Sequence, residues 1–373
     1  MRIAFYAPMK PPSHRVPSGD RAMARLLMAT LTGMGHEVTL ASTLRCYDGS
    51  GDGARQHDLA RRAIGEAGRL AQDWAAAPPD LWFTYHLYHK APDHLGPRVA
   101  GALGLPYVVA EPSVAPKQRR GPWAAGFALS LAALARADAL LPVTSEDADG
   151  LAAAGIPADR IVPLPPFLDT GPHERVRRAP QRQRLAARWG LDPERPWAVV
   201  VAMMRAGDKL ASYRVLAQAL PRMGEGFELI VVGDGPCREE VAGLLGNRAR
   251  LVGRVPPRAL PGLLGACDLF LWPAVNEAYG MALLAAQAAG LPVVAGRARG
   301  VPEIVGHGAT GLLTPEGDAA AFADAALSLL GDARRRAAMG AAAAEHVRTH
   351  HGIAAAEQAL ERAIVAACRG RAQ

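Results

Sequence analysis

Residues 268–294 read DLFLWPAVNEAYGMALLAAQAAGLPVV, and this stretch decides the fold. The apolar run 269–272 reads as a buried strand. A polar loop follows, then an apolar helix over 280–289 that Gly290, Leu291 and Pro292 stop where a strand at 292–295 begins. Strand, loop, helix and strand in succession make a βαβ unit. Such units build parallel sheets whose ligands sit beyond the carboxyl ends of the strands.

The same alternation continues in both directions. In the first half it predicts strands at 2–7, 37–42, 80–85, 107–110 and 139–144. Helices fit 20–32, 54–76, 92–103, 122–136 and 146–154, with Ser145 as an N-cap and Gly33, Gly104 and Gly155 as stops. Prolines 163, 165, 166, 172 and 180 then fall among arginines 175, 177, 178, 182, 184 and 188, which reads as a solvated interdomain linker. The rhythm restarts with strands at 198–203, 228–232, 250–252, 269–272 and 292–295. Helices at 319–330, 332–349 and 353–368 close the chain. The expected fold is α/β, two Rossmann-like doubly wound parallel-sheet domains facing across a cleft. Their bounds are 1–170 and 193–350, with a linker at 171–192 and a C-terminal helix at 351–373 that packs back on the first domain.

Composition narrows the function. The 373 residues carry 42 Lys+Arg against 35 Asp+Glu, a net of +7, yet lysine occurs only at 10, 90, 117 and 209. Thirty-eight of the 42 are therefore arginine in an alanine-rich chain, which reads as coding bias rather than as a nucleic-acid surface, and it makes each lysine worth examining. Cysteines 46, 237, 267 and 368 show no CxxC or Cys/His spacing, so no zinc site or disulfide framework is expected, and a reducing cytoplasm suits them. The N-terminus opens as a strand rather than as a leader, and the longest apolar run, 123–134, falls short of the roughly 20 residues of a membrane span. Neither GxGxxG after a first strand nor GxxxxGK[ST] occurs, which disfavours a dehydrogenase or a P-loop NTPase.

Three segments can do chemistry. In 276–281, NEAYGM, the helix beginning at Gly280 presents free N–H groups and a positive dipole end suited to a phosphate. The Glu277 carboxylate would repel that phosphate; it suits the hydroxyls of a neutral polyol, or it caps the helix. In 204–209, MRAGDK, Arg205 and Lys209 leave the second domain's first strand at its carboxyl edge, where two cations can hold a diphosphate. In 231–236, VVGDGP, the glycines admit backbone close to a ligand or serve a tight strand-to-helix turn.

VVGDGP at 231–236, LVGRVP at 251–256, the 268–294 run, GVPEIV at 300–305 and GATGLL at 308–313 occur in a telling order and spacing. In these the chain resembles the retaining GT-B glycosyltransferases of family four, which move a sugar from a nucleotide diphosphate to an acceptor. The C-terminal half resembles the family throughout. The N-terminal half does so through its βα rhythm and the Gly19-Asp20-Arg21 turn. The resemblance implies that Arg205 and Lys209 hold the donor diphosphate and that Glu277, the first Glu of an E-x7-E motif, contacts hydroxyls of the transferred sugar. It implies donor contacts from Gly233 and from the backbone of Ala278, Tyr279, Gly280 and Met281. Arg254 and Val255 would lie near the base, and Gly19 would make a backbone contact from the opposite domain. No metal or other cofactor is implied. The acceptor, a glycan, a lipid-linked glycan or a small molecule, would belong to the first half.

Two departures stand out. The second Glu of E-x7-E is replaced by Ala285, and Gln287 lies about 200° further round the helix. In the family that second Glu grips the ribose hydroxyls, and its loss predicts roughly 10- to 150-fold weaker nucleotide binding unless another group replaces it. Glu111 follows a strand where many relatives carry His; His86 and Glu111 are the candidates for the acceptor or sugar side, and His89, like His86 after the preceding strand, is a further candidate for the cleft. Ala285 also supports an alternative, a GT-B protein that binds nucleotide or glycan without transfer. An epimerase or phosphorylase on this fold is a further one. The expected location is the cytoplasm, and the positive charge is compatible with the inner face of a membrane.

Overall fold

The computed structural model describes residues 1–16 and 18–369. The chain forms two units: Met1–Pro165 together with the chain from Ala354 on, and Pro166–Ile353. Each is built on one parallel sheet.

Unit 1 contains β1 (Arg2–Tyr6), β2 (Glu37–Ser42), β3 (Leu81–Leu87), β4 (Tyr107–Pro112) and β5 (Ala139–Leu141), in the order β2-β1-β3-β4-β5. Chain growth starts at β1, moves outward to β2, then resumes on the other side of β1 with β3. Ile3 pairs with Leu81 there. Ala4, Phe5, Trp82 and Phe83 are fully buried, as strands covered by helices on both faces require. The helix Ile353–Arg369 buries Ala356, Ala359, Leu360, Ala363, Ile364 and Ala367, a stripe of helical period, and it clusters with this unit.

Unit 2 contains β6 (Trp197–Val201), β7 (Glu228–Val232), β8 (Ala249–Gly253), β9 (Leu269–Trp272), β10 (Val293–Gly296) and β11 (Gly311–Thr314), in the order β11-β10-β9-β6-β7-β8. Here growth reverses between β6 and β9, which pair through Ala198–Leu269 and Val199–Phe270. In open α/β sheets the loops on either side of such a reversal diverge and leave a crevice.

The structure differs from the sequence reading at several places. Thr144, not Ser145, caps the helix Ser145–Ala153: its extended backbone lets Oγ1 accept from Asp147 N–H at 3.1 Å. The helix expected from residue 92 starts at Gly96, because Asp93 takes the N–H groups of Leu95 and Gly96 at 2.9 and 2.8 Å. Strand β11 was not anticipated, since only Leu312 and Leu313 carry apolar side chains there; it is recruited by pairing with β10.

Residues 171–192 carry two helices, Gly171–Glu174 and Arg178–Trp189, which belong to unit 2. Two arginines expected in a solvated linker tie this segment down. Arg182 donates to the carbonyls of Pro193 (2.8 Å), Ala266 (2.7 Å) and Arg195 (2.5 Å) and to Asp268 (3.0 Å), and its guanidinium lies 4.3 Å from the Trp197 ring centroid. Arg178 bonds the same carboxylate and the Cys267 carbonyl. Among the described residues, no helix is long and apolar enough to cross a membrane.

Candidate active site

In unit 2 two of the candidate side chains, Lys209 and Glu277, meet where the sheet reverses. The loop after β6 carries Arg205 and leads into the helix Asp208–Met223, so Lys209 stands in that helix's first turn. The loop after β9 carries Glu277. Lys209 Nζ donates to Glu277 Oε2, and Trp272 Nε1 donates to the same oxygen at 3.0 Å. Lys209 Nζ also lies 5.3 Å from the Trp272 ring centroid, and Tyr213 packs edge-on against that ring at 5.3 Å. Both ion-pair side chains are mostly buried, at 18% and 15% exposure. The protein's bonds to Glu277 fall on Oε2; Oε1 has no partner among the described residues.

The loop's shape fixes this arrangement. Ala274 and Asn276 adopt left-handed backbone (φ +56° and +47°), a conformation that costs a non-glycine residue about 1–3 kcal/mol and recurs at functional sites. Compensating bonds hold it: Val275 N–H donates to the buried Ser212 Oγ at 3.0 Å, Asn276 N–H to Glu316 at 2.9 Å, and Asn276 Nδ2 to Asp208 at 3.2 Å. Gly280, at φ +82°, then opens the helix Met281–Ala288, and no side chain caps that helix. Glu277 therefore does not cap it; Leu283 N–H donates to Gly280 O at 2.9 Å, and the N–H groups of Met281 and Ala282 ahead of it remain available as anion donors. Ala278 is exposed beside them; Tyr279, Gly280 and Met281 are half-buried.

The remaining expected donor residues lie apart. Arg205 is exposed and bonds to no described group. Arg254, also exposed, and Val255, packed against the core, follow the edge strand β8, two strands from β6. Gly233 has a structural reason of its own: a Cβ there would stand 1.8 Å from the Ala202 carbonyl, so only glycine lets the ends of β6 and β7 close together. Ala285 is half-buried against the core. Gln287 is fully buried and donates to Ile304 O at 2.7 Å, so it cannot replace the missing Glu.

Unit 1 repeats the logic at its own reversal. Gly19 begins the helix Gly19–Gly33, capped by Ser18, and Asp20 sits in its first turn. His86, near the end of β3, lies between two carboxylates, with Nδ1 3.3 Å from Asp20 and 3.5 Å from Glu111. Both His86 and Glu111 have left-handed backbone, φ +60° and +53°. Burial disfavours an imidazolium at His86, but Glu111, Asp20 and Asp147 outweigh it and raise the pKa above its ordinary value. Burial likewise raises the Glu111 carboxyl, whereas at Asp20 the neighbouring His86 outweighs burial and lowers it. Asp147 and Trp272 escaped the sequence reading as site residues, and Asp20 entered it only as part of the Gly19-Asp20-Arg21 turn. Among the described residues, no group of three or more His, Cys, Asp or Glu side chains is arranged to hold a metal ion.

Residues 195–332 match the model of the glycosyl transferases group 1, and residues 18–166 match that of the glycosyl transferase 4-like domain. The chain belongs to the group 1 glycosyltransferases. Solved structures of the GT-B fold superpose on nearly all of this family member: Anabaena HepE in complex with UDP (TM-score 0.76, 17% identity, covering 98% of this chain and 100% of that one) and the sucrose-phosphate synthase of Thermosynechococcus elongatus (TM-score 0.76, 18% identity, covering 100% of each). In sequence it is similar to the D-inositol 3-phosphate glycosyltransferase of Nocardia farcinica, 33% identical over 244 residues, which are 61% of this chain and 52% of that protein. It is also similar to the alpha-D-kanosaminyltransferase of Streptomyces kanamyceticus, 27% identical over 61% of this chain and 60% of that protein. The chain thus spans little more than half the length of these curated relatives.

Proposed function

We propose that this group 1 glycosyltransferase moves a glycosyl group from a nucleoside-diphosphate sugar to an acceptor hydroxyl with retention at the anomeric carbon. One observation carries the proposal: Glu277, anchored through Oε2 by Lys209 and Trp272, keeps Oε1 free beside an uncapped helix N-terminus. That pairs an acceptor for sugar hydroxyls with donors for phosphate.

Breaking the glycosyl–phosphate bond sends its electron pair to the diphosphate and leaves positive charge at the anomeric carbon. Lys209, the helix N–H groups and Arg205 stabilise the departing oxygens, while the incoming hydroxyl bonds to carbon and passes its proton to the leaving phosphate. Neutralisation by side chains and main-chain amides needs no metal, so activity is expected to survive EDTA. His86 and Glu111 serve the acceptor or sugar side, and the acceptor is a small molecule, a glycan or a lipid-linked glycan. Four free cysteines fit a cytoplasmic location.

The test is product formation from UDP-, GDP- and ADP-sugars, with the anomeric configuration read by NMR. Arg205→Ala, which removes an exposed side chain without a bonding partner, is expected to slow transfer about 10²–10³-fold at unchanged thermal stability. Full activity in that variant refutes the assignment. Ala285 favours the second reading, a protein that binds nucleotide without transferring sugar. Nucleotide binding with no product from any donor and acceptor supports it.

A further inference from the structure

The loop that carries Glu277 is held by more than its ion pair. Ser212, fully buried, lies three residues beyond Lys209 in the helix Asp208–Met223. Its hydroxyl donates to Asp208 O at 2.9 Å and accepts the Val275 N–H at 3.0 Å. Residues three apart are neighbours on a helix surface. One helix therefore grips the loop twice, with a charge at Glu277 and with a neutral hydroxyl two residues earlier.

Other elements close on the same loop. Glu316, exposed two residues after β11, accepts the N–H of left-handed Asn276 at 2.9 Å. Gly300 N–H donates to Ala278 O at 2.8 Å. A Cβ at Gly296 would stand 2.0 Å from Pro273 O, so the end of β10 presses directly on the start of the loop.

These grips respond differently to a donor. A diphosphate that draws on the Lys209 ammonium competes with Glu277 for it, so the ion pair weakens as the donor arrives. The bonds from Ser212 and Glu316 meet no such competition, because they end on the backbone N–H groups of Val275 and Asn276. Without them the left-handed backbone at Ala274 and Asn276 has less to offset its strain, and Glu277 loses its fixed position.

We infer that Ser212 and Glu316 are positioning residues for sugar transfer: they keep Glu277 Oε1 presented to the transferred sugar while Lys209 is shared with the diphosphate. This deepens the glycosyl-transfer reading and rests on it.

Glu316→Ala, Glu316→Gln and Ser212→Ala are compared with the wild type in three measurements. These are calorimetry with UDP, GDP and ADP, turnover of a panel of UDP-, GDP- and ADP-sugars by transfer or hydrolysis, and NMR hydrogen exchange of the Val275 and Asn276 amides. Glu316 is exposed, so its variants should fold whatever becomes of Ser212→Ala. In Glu316→Ala the Asn276 amide should exchange faster, and kcat/KM for the preferred donor should fall about 2- to 12-fold, the net worth of one hydrogen bond, with affinity for the parent nucleotide kept within about twofold. Glu316→Gln retains an acceptor oxygen and should restore both exchange and turnover. Ser212→Ala should act in the same way through Val275. Wild-type turnover in Glu316→Ala overturns the inference, as does a loss that Glu316→Gln shares, or a fall in nucleotide affinity equal to the fall in turnover. A wild type that turns over no donor refutes the transfer reading and this role with it, whereas unchanged Asn276 exchange in Glu316→Ala refutes the grip on the loop alone.

Discussion

Glu277→Gln should strengthen UDP binding and weaken sugar transfer, two effects of opposite sign from one atom exchange. The Lys209–Glu277 pair is net neutral in the free protein. Replacing the carboxylate with an amide keeps an oxygen for the Trp272 N–H, which now sits at 3.0 Å, but leaves Lys209 unopposed. A diphosphate bound to Lys209 would lie about 8 Å from the vanished charge. At an effective dielectric of about 20–40, that is worth about 1–2 kcal/mol, roughly 5- to 30-fold in UDP affinity. Transfer should fall about 10- to 150-fold in kcat/KM, the range for losing a hydrogen bond to a charged group. Isothermal titration with UDP at low and moderate salt measures the first effect, and the gain should shrink as salt rises. Thermal unfolding guards against a trivial cause, since the variant leaves a mostly buried lysine without its partner. UDP affinity that is unchanged or weaker in a folded variant refutes the placement of the diphosphate at Lys209.

Two further outcomes test the architecture. Arg182→Ala removes four hydrogen bonds and a ring contact from a side chain only 13% exposed, leaving Asp268 part-buried with less compensation. A loss of about 3–5 kcal/mol is expected, which for a unit of this size lowers Tm by about 6–20 °C; a drop under about 2 °C in calorimetry would mean the segment is the loose linker its composition suggests. His351, buried with Nδ1 2.7 Å from Pro166 O, has a pKa lowered to about 4, chiefly by burial and then by His346 and His350. A histidine held neutral in the fold contributes stability above its ordinary pKa of 6.5 that is lost as pH falls toward about 4. The loss is about 2 kcal/mol at pH 5, and denaturant unfolding of His351→Gln should show a correspondingly shallower decline between pH 7 and pH 5.

Much of the fold was legible because buried parallel strands write themselves as apolar runs. Glu228–Val232 and Leu269–Trp272 begin and end where their composition changes. Legibility failed where an element's identity depends on distant partners. Gly311–Thr314 is a strand only because β10 lies beside it, and Arg178 and Arg182 look solvated until Asp268, some 90 positions along the chain, is brought beneath them. The cap at Thr144 rather than Ser145 was undecidable from composition, as both residues can cap and backbone conformation chooses.

The site divides in the same way. Lys209 and Glu277 were readable as separate candidates, each following its own strand, but their union was not, because only the strand order brings β6 beside β9. The union changes the chemistry. Two free cations would make a general anion trap, and a site meant only to hold a nucleotide's phosphates has no use for a carboxylate bound to its lysine. Trp272 and Lys209 converge on one oxygen of Glu277 and hold the other clear, at the expense of left-handed backbone at Ala274 and Asn276. Strain of that kind is expected where a geometry is selected for recognition rather than stability. A free carboxylate oxygen is suited to hydroxyl groups, so under the proposed function the arrangement fits a sugar beside the diphosphate better than a protein that has kept nucleotide binding alone.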